Sequence, residues 1–173
     1  TRDRLIRTTS RLLRKQGYAA TGLNQVMAEA DAPKGSMYFH FPGGKQELAA
    51  AAVARFADRV LASMATGLAD ADSVEGAVTG YLDAMIAHME RTDYADGCAV
   101  AVVALEAAAD HPALVEATTK GLQDWIELFA EACNVANFVN AHTPDANVRL
   151  ATFNVPTGAQ DARQVQWGAR YTF

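Results

Sequence analysis

The chain has 173 residues, half of them hydrophobic and 20% charged, which suits one ordinary core or two small ones and argues against general disorder. No apolar run reaches the roughly 18 residues of a membrane span, and the opening TRDRLIRTTSRLLRK lacks the apolar core of a signal peptide, so none is expected, although the missing initiator Met leaves room for a few leading residues. The net charge of −5 argues against nucleic acid until it is divided: residues 1–60 hold ten Lys/Arg against five acids, net +5, and residues 61–173 hold five against fifteen, net −10, a basic head on an acidic body.

From about Arg2 to Gln16, Leu5, Ile6, Thr9, Leu12 and Leu13 recur at helical spacing with arginines around the rest, and Gly17 is placed to end that helix. Thr21 or Gly22 caps a second helix, Leu23 to Ala30, whose Leu23, Val26 and Met27 face the first. Asp31-Ala32-Pro33 reads as a turn, because Pro33 disfavours helical geometry at Ala32 yet fits the first turn of a new helix. That third helix, Lys34 to Phe41, is short, and Pro42-Gly43-Gly44 stops it.

A longer helix follows from Lys45 to Leu68, with Leu48, Ala52, Phe56, Val60 and Met64 on one face. Ser73 is set to cap a fifth helix bearing Val74, Val78, Tyr81, Leu82, Met85 and Met89, and Arg91 to Gly97 is a polar loop. Cys98 to Ala109, apolar nearly all round, predicts a helix buried in the body. After the His111-Pro112 break, Ala113 to Cys133 forms the next helix, striped by Leu114, Thr118, Leu122, Trp125 and Phe129. Residues 134–173 are richer in Asn, and the closing VQWGARYTF alternates so that Val165, Trp167, Ala169, Tyr171 and Phe173 share one face of a strand; a distorted helix from about Ala159 competes with that reading.

The second and third helices have the layout of a helix-turn-helix, in which one helix braces and the next enters the major groove. Reading a groove requires close approach, donors to phosphate and side chains that reach base edges. Lys34 and Ser36 supply donors, Gly35 removes a side chain that would hold the backbone off, and Tyr38 and His40 are hydrogen-bonding aromatics. Met37 and Phe41 point inward, and Phe39 is read as a further core candidate. Thr21 and Lys45 add candidate phosphate contacts at the starts of the second and fourth helices.

These residues resemble the TetR family of bacterial transcriptional regulators. The resemblance is carried by Gly17-Tyr18, Thr21, the run from Ala32 to Phe41, and Gly44-Lys45 with Leu48. The run APKGSMYFHFPGGKQEL is most similar to a subgroup around the lincomycin-resistance repressor, and GCAVAVVALEAA is similar to the same subgroup's body. It covers about residues 2–133. It implies an all-α homodimer whose subunits each carry a three-helix DNA-binding head, residues 1–46, and a ligand-binding and dimerisation body, residues 47–173. It further implies that a small hydrophobic inducer releases a repressor from a double-stranded DNA operator, and that Thr21, Lys34, Gly35, Ser36, Tyr38, His40 and Lys45 face DNA. Residues 134–173 depart from the pair of long amphipathic helices with which the family usually dimerises, and VQWGARYTF looks instead like the last strand of an outer-membrane β-barrel.

In the body, Tyr81, Met85, Met89, Cys98, Trp125 and Phe129 either line an inducer cavity or are plain core, the commoner role for apolar stripes. Glu106 within an apolar helix either meets a partner or ligand or lies on that helix's one exposed edge. Cys98 and Cys133 lack CxxC spacing, which favours buried thiols in a reducing cytoplasm. His88, His111 and His142 lack the spacing of a metal site. No cofactor motif, phosphate loop or nucleophile with a positioned base is found, so no enzyme is expected. A damaged body, leaving a weak or monomeric DNA binder, is the main alternative.

Overall fold

The computed structural model describes residues 1–106 and 111–135, with side chains as far as residue 132, and within them seven α-helices follow one another without a strand. Thr1–Leu128 forms one compact unit and Phe129–Phe173 a second; the site lies in the first. The alternating tail from Val165 to Phe173, His142 and the question of two further dimerisation helices lie outside the described residues. None of the described helices is long and apolar enough to cross a membrane.

Helix α1, Arg2–Ala20, runs past its expected end at Gln16 but changes direction at Gly17, whose φ of 76° lies in the region that glycine occupies without a Cβ penalty. Helix α2 is Leu23–Glu29 and α3 is Lys34–His40. Between them Asp31 takes a positive φ of 47°, which a short Asp side chain tolerates, and the N–H of Ala32 donates to the Met27 carbonyl at 3.0 Å. Arg4 fastens this turn to α1, one guanidinium nitrogen meeting the Asp31 carboxylate at 3.3 Å and the other the Asp31 carbonyl at 2.9 Å. Leu5, Leu13, Val26, Met37, Phe41 and Leu48 are all but fully buried where the first four helices meet. Side chains of this size contribute about 1.5–3 kcal/mol each when buried.

Helix α4, Gly44–Asp70, is 27 residues long and so extends roughly 40 Å. Its small residues Ala49, Ala52 and Ala57 are buried and let neighbouring helices approach. At the closest point a Cβ on Gly121 would stand 2.8 Å from the Ala57 Cβ, and the Trp125 indole N–H donates to the Ala57 carbonyl at 3.1 Å. Helix α5, Val74–Arg91, opens on Ser73, whose hydroxyl accepts from the Gly76 N–H at 3.0 Å as a capping side chain does. Helices α6, Ala99–Glu106, and α7, Pro112–Val135, complete the described body.

The body is less enclosed than its composition predicts. In α6 Ala99, Val100 and Val103 are buried, but Leu105 is 90% exposed and Ala101 and Ala104 lie open. The expectation of a helix buried all round is therefore corrected: α6 packs one side against α1 and α4. Its uniformly apolar sequence carries no amphipathic signal to say which side. Leu82, Met85 and Ile86 on α5 and Leu122 and Ile126 on α7 are likewise exposed.

Candidate nucleic-acid interface

Helix α3 has only two turns, and its inward face is set by Met37 and Phe41, four positions apart and buried at 0% and 1% exposure. That fixes what the other residues do. Lys34, Gly35, Tyr38 and Phe39 face outward, while Ser36 and His40 are half-buried at the edges of the outer face. Phe39, read from sequence as a core candidate, is corrected by the structure: it is 81% exposed, with its ring edge-on to His40 at 5.1 Å. A seven-residue helix gives too few apolar positions for periodicity to say which of two adjacent aromatics points inward.

Gly35, like Gly67 in α4 and Gly80 in α5, is a helical glycine that no internal packing requires. A Cβ there would meet nothing within 4 Å, and its backbone is ordinary helix. Glycine inside a helix costs roughly 0.5–1 kcal/mol relative to alanine. At Gly35 it leaves the outer surface low beside Lys34 and Tyr38.

Two expected contacts are engaged elsewhere. The Thr21 side chain is buried, its hydroxyl donating to the Gly17 carbonyl at 2.6 Å while its N–H reaches the Tyr18 carbonyl at 3.2 Å. A DNA-facing Thr21 hydroxyl is therefore corrected to an internal brace. Lys45 is half-buried, with Nζ 4.3 Å from the Tyr18 ring centre and 3.3 Å from the Ala19 carbonyl it donates to. Burial lowers its pKa below the ordinary lysine value, and the nearby Glu106 carboxylate opposes that shift. A phosphate would have to draw Lys45 away from these contacts.

The head's positive charge is also partly committed. Arg4 pairs with Asp31, Arg7 and Arg55 with Asp3, Arg11 with Glu29, and Arg14 with Asp96. The Arg11 hydrogen bond, then that from Gln25, holds the Glu29 carboxyl below its ordinary range. Among the described residues Lys34 has no ion-pair partner.

The profile of the bacterial regulatory proteins, tetR family, matches residues 5–52, and that of the LmrA/YxaF-like transcriptional regulator C-terminal domain matches residues 73–153. The HTH-type transcriptional regulator LmrA of Bacillus subtilis is 34% identical over 131 residues, 75% of this chain and 69% of that protein. YxaF of the same organism, an uncharacterised HTH-type regulator, is 35% identical over 75% of this chain and 68% of its own length. The chain belongs to the TetR family. It is a DNA-binding transcriptional regulator, and α2 and α3 are the two helices of its helix-turn-helix. Reduced E. coli NemR superposes with a TM-score of 0.72 at 19% identity, over 82% of this chain and 75% of that one, which bears on fold alone. A TetR regulator from Chloroflexus aurantiacus gives a TM-score of 0.64 at 26% identity, over 82% and 73%.

The six residues read as cavity lining or plain core differ in exposure. Tyr81 and Cys98 are half-buried and near each other; burial first, and the Cys98 thiol second, raise the Tyr81 pKa above its ordinary value. Trp125 is half-buried and held by Ala57. Met89 and Phe129 are half-buried, and Met85 lies 41% exposed on the outer side of α5.

Glu106 lies exposed and also meets a partner. Its carboxylate turns away from the body and accepts from the N–H groups of Tyr18 at 2.6 Å and Ala19 at 2.8 Å. It is not an idle surface acid, and only tertiary structure brings it to α1. His111 packs edge-on to Tyr18 at 5.1 Å, and His88 Nε2 lies 3.6 Å from Asp96.

Proposed function

We propose that this regulator is a repressor that reads its operator with the outer face of α3. Lys34 and Ser36 meet phosphate or base edges, Gly35 lets the duplex backbone come close, and Tyr38 and His40 supply hydrogen bonds to bases or phosphate. Phe39 has no hydrogen-bonding group, and its fitting partner in the groove is a thymine methyl. The observation that carries the reading is the outer face of α3 itself, where Lys34 has no ion-pair partner among the described residues and Tyr38 and Phe39 stand exposed beside Gly35.

Residues 1–46 act as the DNA-binding head and residues 47–173 as the ligand-binding and dimerisation body. Two copies set their α3 helices one DNA turn apart, roughly 34–36 Å, and a small hydrophobic inducer in the body, near Tyr81, Cys98 and Trp125, shifts α4 and spoils that spacing. The protein works in the bacterial cytoplasm, with no membrane partner and no chemical step of its own.

The test is to select a duplex from a randomised library with the purified protein and to measure affinity for it against salt. The parent should give a steep negative slope, and sedimentation with the selected duplex should show two protein chains bound. A slope near zero would contradict groove and phosphate reading; one chain per duplex would contradict the dimer. Replacing thymines of the selected duplex by deoxyuridine should weaken the parent but leave Phe39→Ala unaffected, and equal losses would remove Phe39 from thymine recognition.

A further inference from the structure

The bend at Gly17 strips helical partners from the residues after it, so the backbone of Gly17–Thr21 needs partners from elsewhere. It finds them from three helices, α1, α4 and α6, and from the turn into α2. The carbonyl of Gly17 accepts from the Thr21 hydroxyl, and that of Tyr18 from the Thr21 N–H. The carbonyl of Ala19 accepts from Lys45 at the start of α4, and that of Ala20 from Gln16 of α1 at 3.0 Å. The two N–H groups that open the new turn, on Tyr18 and Ala19, both donate to one oxygen of Glu106.

Glu106 is the body's contribution to this elbow. It stands at the end of α6, and its carboxylate fills the space where a Gly17 side chain would be. The other end of α6 is tied to the same helix. Asp96 pairs with Arg14, the Gly97 N–H donates to the Arg14 carbonyl at 3.0 Å, and the Arg14 guanidinium lies 5.8 Å from the Phe56 ring centre on α4. Helix α6 thus grips α1 on both sides of its bend.

The elbow feeds directly into α2, and through Lys45 it touches the start of α4, the element that follows α3. Its geometry therefore sets the angle at which the helix-turn-helix leaves α1. We infer that Glu106 is a positioning residue for DNA reading, its carboxylate on the Tyr18 and Ala19 amides holding the head at the angle α3 needs to enter the groove.

The inference rests on α3 as the reading helix, and it makes the contact between α6 and the elbow the route by which rearrangement of the body reaches DNA. The hydrogen bonds lie at the surface, where water can replace a lost carboxylate. Truncation should therefore loosen the elbow more than it destabilises the fold.

The experiment compares Glu106→Ala, Glu106→Gln and Tyr38→Ala with the parent as full-length chains. The duplex selected by the parent and a random-sequence duplex serve as probes, with thermal midpoints measured alongside. Glu106→Ala should lose roughly 5- to 20-fold in affinity for the selected duplex, the low end of coupling between two sites, and less for the random one. Its thermal midpoint should hardly move, and the Tyr18 and Ala19 amides should exchange faster. Glu106→Gln, which keeps an acceptor oxygen at the same reach, should recover most of the affinity.

Unchanged affinity in Glu106→Ala would overturn the inference. So would a loss equal on both duplexes and matched by a fall in thermal midpoint, which is the mark of a merely structural contact. Failure of Tyr38→Ala to alter the preference for the selected duplex would instead strike the reading of α3, whichever way Glu106→Ala behaved.

Discussion

Head and body differ in how completely their side chains are used. In the head nearly every large apolar residue of α1–α3 is buried, and the elbow's polar groups are accounted for one by one; the large apolar exception is Phe39, beside Tyr38 on the face assigned to DNA. In the described body, exposed Leu82, Met85, Ile86, Leu105, Leu122 and Ile126 are spread over three helices. The first region is built to hold one shape, and its exceptions are confined to one face. The second leaves apolar residues open on each helix, at i, i+3 and i+4 along one face of α5 (Leu82, Met85, Ile86), at i and i+4 along one face of α7 (Leu122, Ile126), and at Leu105 of α6.

The largest effect that can break this contrast is on stability. Phe41→Ala empties a fully buried site where α3 meets the rest of the head and should cost about 3–5 kcal/mol in urea unfolding. Met85→Ala, 41% exposed on α5, should cost about 1 kcal/mol because the side chain is only partly removed from water on folding. Equal costs would mean that the described body is packed as tightly as the head.

Next in size is charge. Lys34→Ala should weaken binding to all duplexes and reduce the magnitude of the salt slope by about 1, as loss of one phosphate contact does. Lys45→Ala, whose amine is held by Tyr18 and Ala19, should change the slope less than Lys34→Ala. The reverse order would show that Lys45 leaves the elbow when DNA binds.

Gly35→Ala sharpens the comparison through opposite signs. It should stabilise the free protein by roughly 0.5–1 kcal/mol, the usual helix gain, while weakening DNA binding. A variant both more stable and equally tight would remove the argument that the groove needs the missing Cβ.

The smallest effect is acid sensitivity at Glu29. Its folded-state pKa is depressed, chiefly by the Arg11 hydrogen bond. The stabilisation is therefore present above the ordinary glutamate value of 4.5 and is lost as pH falls through the lower folded value. Glu29→Gln should flatten this part of the stability profile below pH 4.5 and leave neutral pH nearly unchanged, as suits an exposed pair. An acid limb identical to the parent's would deny the pair any role.

Much of the head was legible from residue chemistry. Gly17, the Asp31-Ala32-Pro33 turn and Pro42-Gly43-Gly44 punctuate the chain because their backbones favour breaks, and Ser73 announces α5 by its capping hydroxyl. For the candidate site, the sequence put Lys34, Gly35 and Tyr38 on one short helix, and the structure leaves all three exposed there. Other assignments needed tertiary structure. Thr21 and Lys45 carry donors that suit phosphate or a carbonyl equally, and sequence does not say which is nearer. Glu106 lies 88 positions from the Tyr18 amide it caps, and a lone acid in an apolar helix carries no sign of its partner. For α6 an unbroken apolar run hid the exposed side, since periodicity reports a face only when polar residues mark the other.

The central claim is that the exposed face of α3 reads base sequence. It is tested most directly by the ratio of affinities for the selected and random duplexes, measured for the parent and Tyr38→Ala at one salt concentration. The account predicts that the variant's ratio falls by roughly 10-fold or more, the discrimination usual for a good base contact, while its affinity for random DNA changes little. A ratio equal to the parent's would contradict it.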